Sequence, residues 1–109
     1  MNDFRQQALS LPGAIEQPHH GAPSFRVAGK IFAQLSADED MALLKLTPFL
    51  QGWCVATFPD DCHPEPGRWG QSGWTRLRWA AIPEDHLSEM VNASWLAVAP
   101  AELRHPAHG

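Results

Sequence analysis

The chain is poor in several features that would mark out a function. It has only two cysteines, Cys54 and Cys62, which excludes a scaffold stapled by many disulfides. Together with His63 they make no Cys-x-x-Cys knuckle and offer no fourth ligand, so a structural zinc site is not expected and Cys54 reads as a buried, reduced thiol. Basic residues are scarce as well. Eight Lys and Arg stand against 12 Asp and Glu, giving a formal charge of −4 and a pI near 5.8. That balance excludes nucleic-acid binding through the overall field and leaves it only to a local patch. No apolar run approaches the roughly 18–20 residues of a membrane span. The N-terminus lacks the basic and apolar regions of a signal peptide, so a cytoplasmic protein without a membrane partner is expected. Catalytic motifs are missing too. Ser24, Ser72 and Ser94 have no nucleophile-elbow context, and no HExxH or phosphate-binding glycine turn followed by a helix occurs. The expectation is a non-enzyme with no metal and no cofactor.

What is present is an ordinary folded composition, 44% hydrophobic and 18% charged over 109 residues. One domain over residues 1–104 is expected, with 105–109 as a frayed tail. Asp3 followed by Gln6 resembles a capping box, opening a helix that presents Phe4, Ala8 and Leu11 on one face and stops at Pro12-Gly13. Residues 14–17 suit a short edge strand, whose pairing Pro18 should end. Two alternating runs, 24–28 and 31–35, flank Gly29-Lys30 and predict a hairpin with that pair as its loop. The second run should send Ile31, Ala33 and Leu35 to one face and Phe32 and Gln34 to the other.

An acidic turn at 36–40 leads to a strand over 41–46. Thr47 and Pro48 then start a short helix. Residues 60–72 read as a long loop pinned by Trp69 inserted in the core. The run 73–80 alternates most cleanly, with Thr75, Leu77 and Trp79 inward and Trp74, Arg76 and Arg78 outward. A last helix starts at Pro83, carries the stripe Leu87, Met90, Val91, Trp95 and Val98, and ends at Pro100. The fold class is therefore α+β. An antiparallel sheet of about five strands is expected, with helices on one face, in the order α-β-β-β-β-α-β-α.

Charge is segregated along this plan. Apart from Glu16, every Asp and Glu falls in a predicted helix, turn or loop, whereas Arg26, Lys30, Lys45, Arg76 and Arg78 fall in or beside strands. With both long helices on one side, the other sheet face would carry these cations together with Trp74. Such a face suits phosphates and a stackable base, and these six residues are the candidate nucleic-acid-binding set. A solvated face whose Arg stems cover apolar neighbours, or pair with Glu16, would show the same pattern. The alternative function is a protein-interaction or small-ligand module using this face or the 60–73 loop. A pocket lined by Trp69, Trp74 and His19, with the cations scattered, would favour it. His19 and His20 should point to opposite faces in an extended chain, which disfavours a shared metal.

Leu9-Ser10-Leu11-Pro12-Gly13-Ala14, Glu16, His19 to Gly21, Pro23 with Phe25-Arg26-Val27, and Gly29-Lys30-Ile31-Phe32-Ala33 resemble the MmcQ/YjbR family. So do Leu44-Lys45-Leu46-Thr47-Pro48, Pro66-Gly67-Arg68-Trp69-Gly70, the Arg78-bearing strand and the Trp95 to Pro100 helix end. The likeness covers nearly the whole chain. It implies a compact α+β fold and DNA binding, the label commonly given to members for a winged-looking surface, with no enzymatic activity attached to the family. Two positions depart from the pattern: Ala22 stands where members often carry a histidine or another polar residue, and Trp79 replaces a small aliphatic.

Overall fold

Helix α1 (Phe4–Leu9) opens as the capping signal predicts, with the Asp3 carboxylate accepting from the Gln6 backbone N–H. The structure, a computed structural model, describes residues 3–104; the expected frayed tail at 105–109 lies outside the described residues. Past Gly13 the chain enters β1 (Ile15–His19), β2 (Ala22–Val27), β3 (Lys30–Leu35) and β4 (Ala42–Lys45). Helix α2 (Pro48–Thr57), β5 (Cys62–Pro64), α3 (Arg68–Gln71) and β6 (Trp74–Leu77) follow. A 3₁₀ turn at Trp79–Ala81, α4 (Glu84–Val98) and α5 (Ala101–Arg104) complete the chain. The strands form one antiparallel sheet in the order β1-β2-β3-β4-β6-β5. This is the expected α+β class, with six strands instead of about five. No helix among the described residues is long and apolar enough to cross a membrane.

One face of the sheet is covered. Leu87, Met90, Val91 and Trp95 of α4 are buried against β3 and β4, with Phe4 and Ala8 of α1 and Cys54 of α2 in the same core. Trp95 satisfies its indole N–H on the Pro12 carbonyl at 2.9 Å, and Trp79 does so on the Glu39 carbonyl at 2.8 Å. Thr47 caps α2 by accepting from the Leu50 N–H, as its sequence signal requires.

Several local expectations are corrected. The hairpin loop is Ala28-Gly29, not Gly29-Lys30, because Val27 pairs with Lys30 and both loop residues have positive φ, the signature of a type I′ turn. A bulge then places Ile31 opposite Arg26 and Ala33 opposite Phe25, leaving Phe32 as the extra residue. Strict alternation is broken there: Phe32 and Ala33 are both fully buried, while Ile31 is only partly so. Strand β1 does not stop before Pro18, which lies opposite Pro23 on an edge where a missing N–H is tolerated. Its turn to β2, His20-Gly21, also has positive φ at both residues. The histidine rings consequently meet edge to face at 4.3 Å instead of pointing apart.

The 60–72 loop contains β5 and α3, and Trp69 is 64% exposed instead of core-inserted. Strand β6 ends at Leu77; Trp79 still packs on the core, from the 3₁₀ turn.

Arg5 ties α1 to the sheet. Its guanidinium donates to Glu16 of β1 at 2.9 Å and to Glu39 of the β3–β4 turn at 2.8 Å. These hydrogen bonds hold the Glu39 carboxyl below its ordinary range and push the guanidinium up. A depressed carboxyl stabilises the fold above its unfolded pKa, and that contribution is lost as pH falls through the folded value. Arg5→Gln should therefore lower the thermal midpoint near neutrality and have progressively less effect as pH drops from about 5 to 3. A difference that stays constant across that window, measured by thermal melts, would rule the clamp out. The non-glycine residue at positive φ in the hairpin loop gives a second test. Ala28→Asn should stabilise the protein by about 0.5–1 kcal/mol in urea unfolding, since asparagine tolerates the left-handed region better.

Candidate functional site

The uncovered sheet face is built by register. Gln34 lies opposite Leu43, Leu43 opposite Arg76, and Lys45 opposite Trp74, so these side chains share a face. The bulge adds Ile31 beside Arg26. On the β1 edge, His19 pairs with Ala22, two pairs along from Gln17 and Ser24. Of these residues, His19, Arg26, Ile31, Gln34, Leu43 and Trp74 line a pocket of about 730 Å³ with Ile31 and Leu43 on its apolar floor. Arg26, Lys30 and His19 stand on the β1–β3 side, and Trp69, Trp74, Glu65 and Pro66 on the β5–β6 side.

Trp69 reaches this face because the segment after β5 folds back tightly. A Cβ on Gly70 would sit 1.8 Å from the Glu65 carbonyl oxygen, and one on Gly73 1.7 Å from that of Leu46, so neither position admits a side chain. The Gln51 side-chain amide of α2 donates to the carbonyls of Gly70 and Trp74, each at 3.0 Å. Thus anchored, Trp69 meets Trp74 edge to face with ring centroids 6.2 Å apart. Trp74 itself is only 9% exposed.

The six predicted site residues divide. Arg26, Lys30 and Trp74 line the pocket. Lys45 sits just beyond it, its ammonium 6.0 Å from the centroid of the Trp74 ring and donating to the Ser72 carbonyl at 2.6 Å. Arg76 shares the face but donates to Glu65, within an adjoining smaller recess with Gln34 and Leu43. Arg78 lies beyond the end of β6, with its Nε 3.6 Å from Asp61. Among the described residues no acid pairs with Arg26, Lys30 or Lys45. Arg26 instead approaches His19 Nδ1 at 3.5 Å. A guanidinium only donates, so in this contact Nδ1 can serve only as an acceptor.

Sequence reasoning set Trp69 and His19 beside Trp74 only in the alternative small-ligand pocket, a grouping the pocket here contains, and it did not place Glu65 or Ile31 at the site. The glycines flanking Trp69 were the available signal, since a residue framed by Gly67 and Gly70 lies on a tightly folded segment. Both thiols are buried, with desolvation raising Cys54 to about 11 and Cys62 to about 12, so neither is a nucleophile at neutral pH. Among the described residues no three His, Cys, Asp or Glu side chains converge to hold a metal ion.

The glycine clamp can be tested directly. Gly70→Ala should cost about 1–3 kcal/mol or more in urea unfolding and shift the tryptophan emission as Trp69 leaves Trp74. Gly52→Ala, at an exposed α2 position with nothing within 4 Å of the new Cβ, should instead stabilise by roughly 0.5–1 kcal/mol. Equal effects of the two substitutions would contradict the clamp.

No curated protein matches the chain significantly. Among solved structures, the crystal structure of Deinococcus radiodurans protein DR2400, described as a DUF419 domain, superposes with a TM-score of 0.77 at 19% identity. That match covers 98% of this chain and 94% of the other and establishes a shared fold. The family model YjbR matches residues 9–97, a span that takes in the double hairpin, the glycine clamp and most of α4. By that match, the chain belongs to the YjbR family.

Proposed function

We propose that this chain is a non-enzymatic cytoplasmic binding module that takes a flat-ringed anion into the pocket on its open sheet face. One observation carries the reading: an edge-to-face tryptophan pair and two cations with no acid partner line the same pocket. Its volume of about 730 Å³ falls within the range of small-molecule sites. Two free, buried thiols fit a reducing compartment.

The nucleic-acid reading takes a specific form on this surface. Arg76 and Arg78 already face Glu65 and Asp61, so a duplex laid along the sheet would find them largely neutralised. A single strand suits the face better, with a base against the tryptophans and phosphates on Arg26, Lys30 and Lys45. Lys45, beside Trp74, extends the row of cations past the pocket.

Fluorescence anisotropy with a short mixed-sequence single strand and its duplex tests the proposal. Three phosphate contacts give a single-strand salt slope of about −2, so affinity should fall roughly twentyfold between about 50 and 200 mM salt. Arg26→Glu/Lys30→Glu should weaken the single strand by at least about tenfold, and Trp69→Ala by about fivefold or more. Arg76→Glu/Arg78→Glu should change it by less than about threefold. Duplex binding as tight as the single strand, or loss confined to the Arg76/Arg78 variant, would overturn the assignment.

A further inference from the structure

The pocket is chemically asymmetric, and the asymmetry narrows the ligand. Arg26, Lys30 and His19 gather on the β1–β3 side, while the β5–β6 side holds both tryptophans and a carboxylate, Glu65. Arg26 on β2 and Trp74 on β6 are three strand steps apart, about 14 Å across the sheet. Beside Glu65 a phosphate meets a carboxylate whose partner cation, Arg76, is already taken, whereas Arg26 and Lys30 have no acid partner among the described residues, so an anion is directed to the cationic end. Glu65 Oε1 accepts from Arg76, which leaves Oε2 as an acceptor for a donor on the ligand.

Resting on the ligand class proposed above, we infer that the pocket is a subsite for one nucleoside 5′-phosphate whose base carries an exocyclic amine. The phosphate meets Arg26 and Lys30, with the His19 ring beside them. The sugar crosses the Ile31–Leu43 floor, the base packs against Trp69 and Trp74, and its amine donates to Glu65. The span between the two ends is too long for a single ring and matches phosphate, sugar and base in extension. The same chemistry is offered by a free mononucleotide and by the 5′-phosphorylated end of a strand.

Isothermal titration calorimetry on the intact chain separates the outcomes. Cytidine and adenosine 5′-monophosphates should bind at least about tenfold tighter than the uridine and inosine counterparts, because the former present an exocyclic amine to the carboxylate where the latter present a carbonyl oxygen that it repels. Cytidine without phosphate should bind at least about tenfold more weakly than its monophosphate. Glu65→Gln should bring the cytidine and uridine nucleotides within about threefold, since its amide also donates to a ring carbonyl. Arg26→Ala/Lys30→Ala should erase the difference between nucleotide and nucleoside while leaving the thermal midpoint unchanged. A 5′-phosphorylated oligonucleotide that outcompetes both its 5′-hydroxyl form and the mononucleotide identifies a strand end as the source; equal affinity of mononucleotide and oligonucleotide identifies the free nucleotide. Equal binding of cytidine and uridine monophosphates, a preference that survives Glu65→Gln, or equal binding of nucleotide and nucleoside would overturn the subsite. If the single strand still binds through Arg26 and Lys30 in that case, the broader function stands without it; if neither strand nor nucleotides bind, both fall.

Discussion

Strand β3 accommodates one more residue than β2 offers it, and the composition of both sheet faces depends on how that residue is placed. Opposite Phe25 and Arg26, the bulge turns Phe32 inward beside Ala33, so two consecutive side chains enter the core under α4. Ile31 is released to stand next to Arg26 on the open side. Without the extra residue, Arg26 would lie opposite Phe32, and an aromatic ring would occupy the space that Ile31 leaves open between strands. The bulge also sets the pairing of Val27 with Lys30, and with it the Ala28-Gly29 turn that brings Lys30 to the pocket mouth. One local irregularity therefore supplies part of the core, part of the floor and one of the cations.

The opposite wall rests on a different constraint. Only residues without a Cβ fit at Gly70 and Gly73, where the returning chain touches the carbonyls of Glu65 and Leu46. Those close approaches fold the segment after β5 over the edge of the sheet and place Glu65 and Trp69 on the open face, while Gln51 holds the fold-back from the helix side. Burying Trp69 in the core would remove more apolar area from water. Its exposure reflects a backbone with nowhere to put the ring except over Trp74.

Much of this architecture was legible in the sequence because the signals were local. Asp3, Thr47-Pro48 and the α4 stripe are capping and periodicity features whose physical cause lies within a few residues, and they form where they point. The cationic face was legible through strand parity, which brought Arg26, Lys45, Trp74 and Arg76 to one side. What could not be read depends on distant partners. Alternation cannot reveal that Phe32 is an extra residue, because the bulge is defined by β2. Composition cannot show that Gly70 is pressed on Glu65, so Trp69 read as a core anchor. Nor could spacing show that Glu65 and Asp61 would meet Arg76 and Arg78, which removed two of the six candidate residues from the uncompensated set.

The same long-range placement explains how a chain of charge −4 can present a positive site. Glu16 alternates to the covered side of β1, where Arg5 of α1 gathers it together with Glu39. Asp38 is engaged by the Ser36 hydroxyl in the β3–β4 turn. Glu84 and Asp85 lie in the first turn of α4, where a helix N-terminus favours negative charge. The acids are thus spent on the helical side and in turns, and at physiological salt their field fades within about 8 Å. On the open side the acid at the pocket wall, Glu65, is matched by Arg76, while among the described residues Arg26, Lys30 and Lys45 are left without one. Net charge sums over a surface that a ligand never sees as a whole. What it meets here is a short cationic row, two rings and one oriented carboxylate.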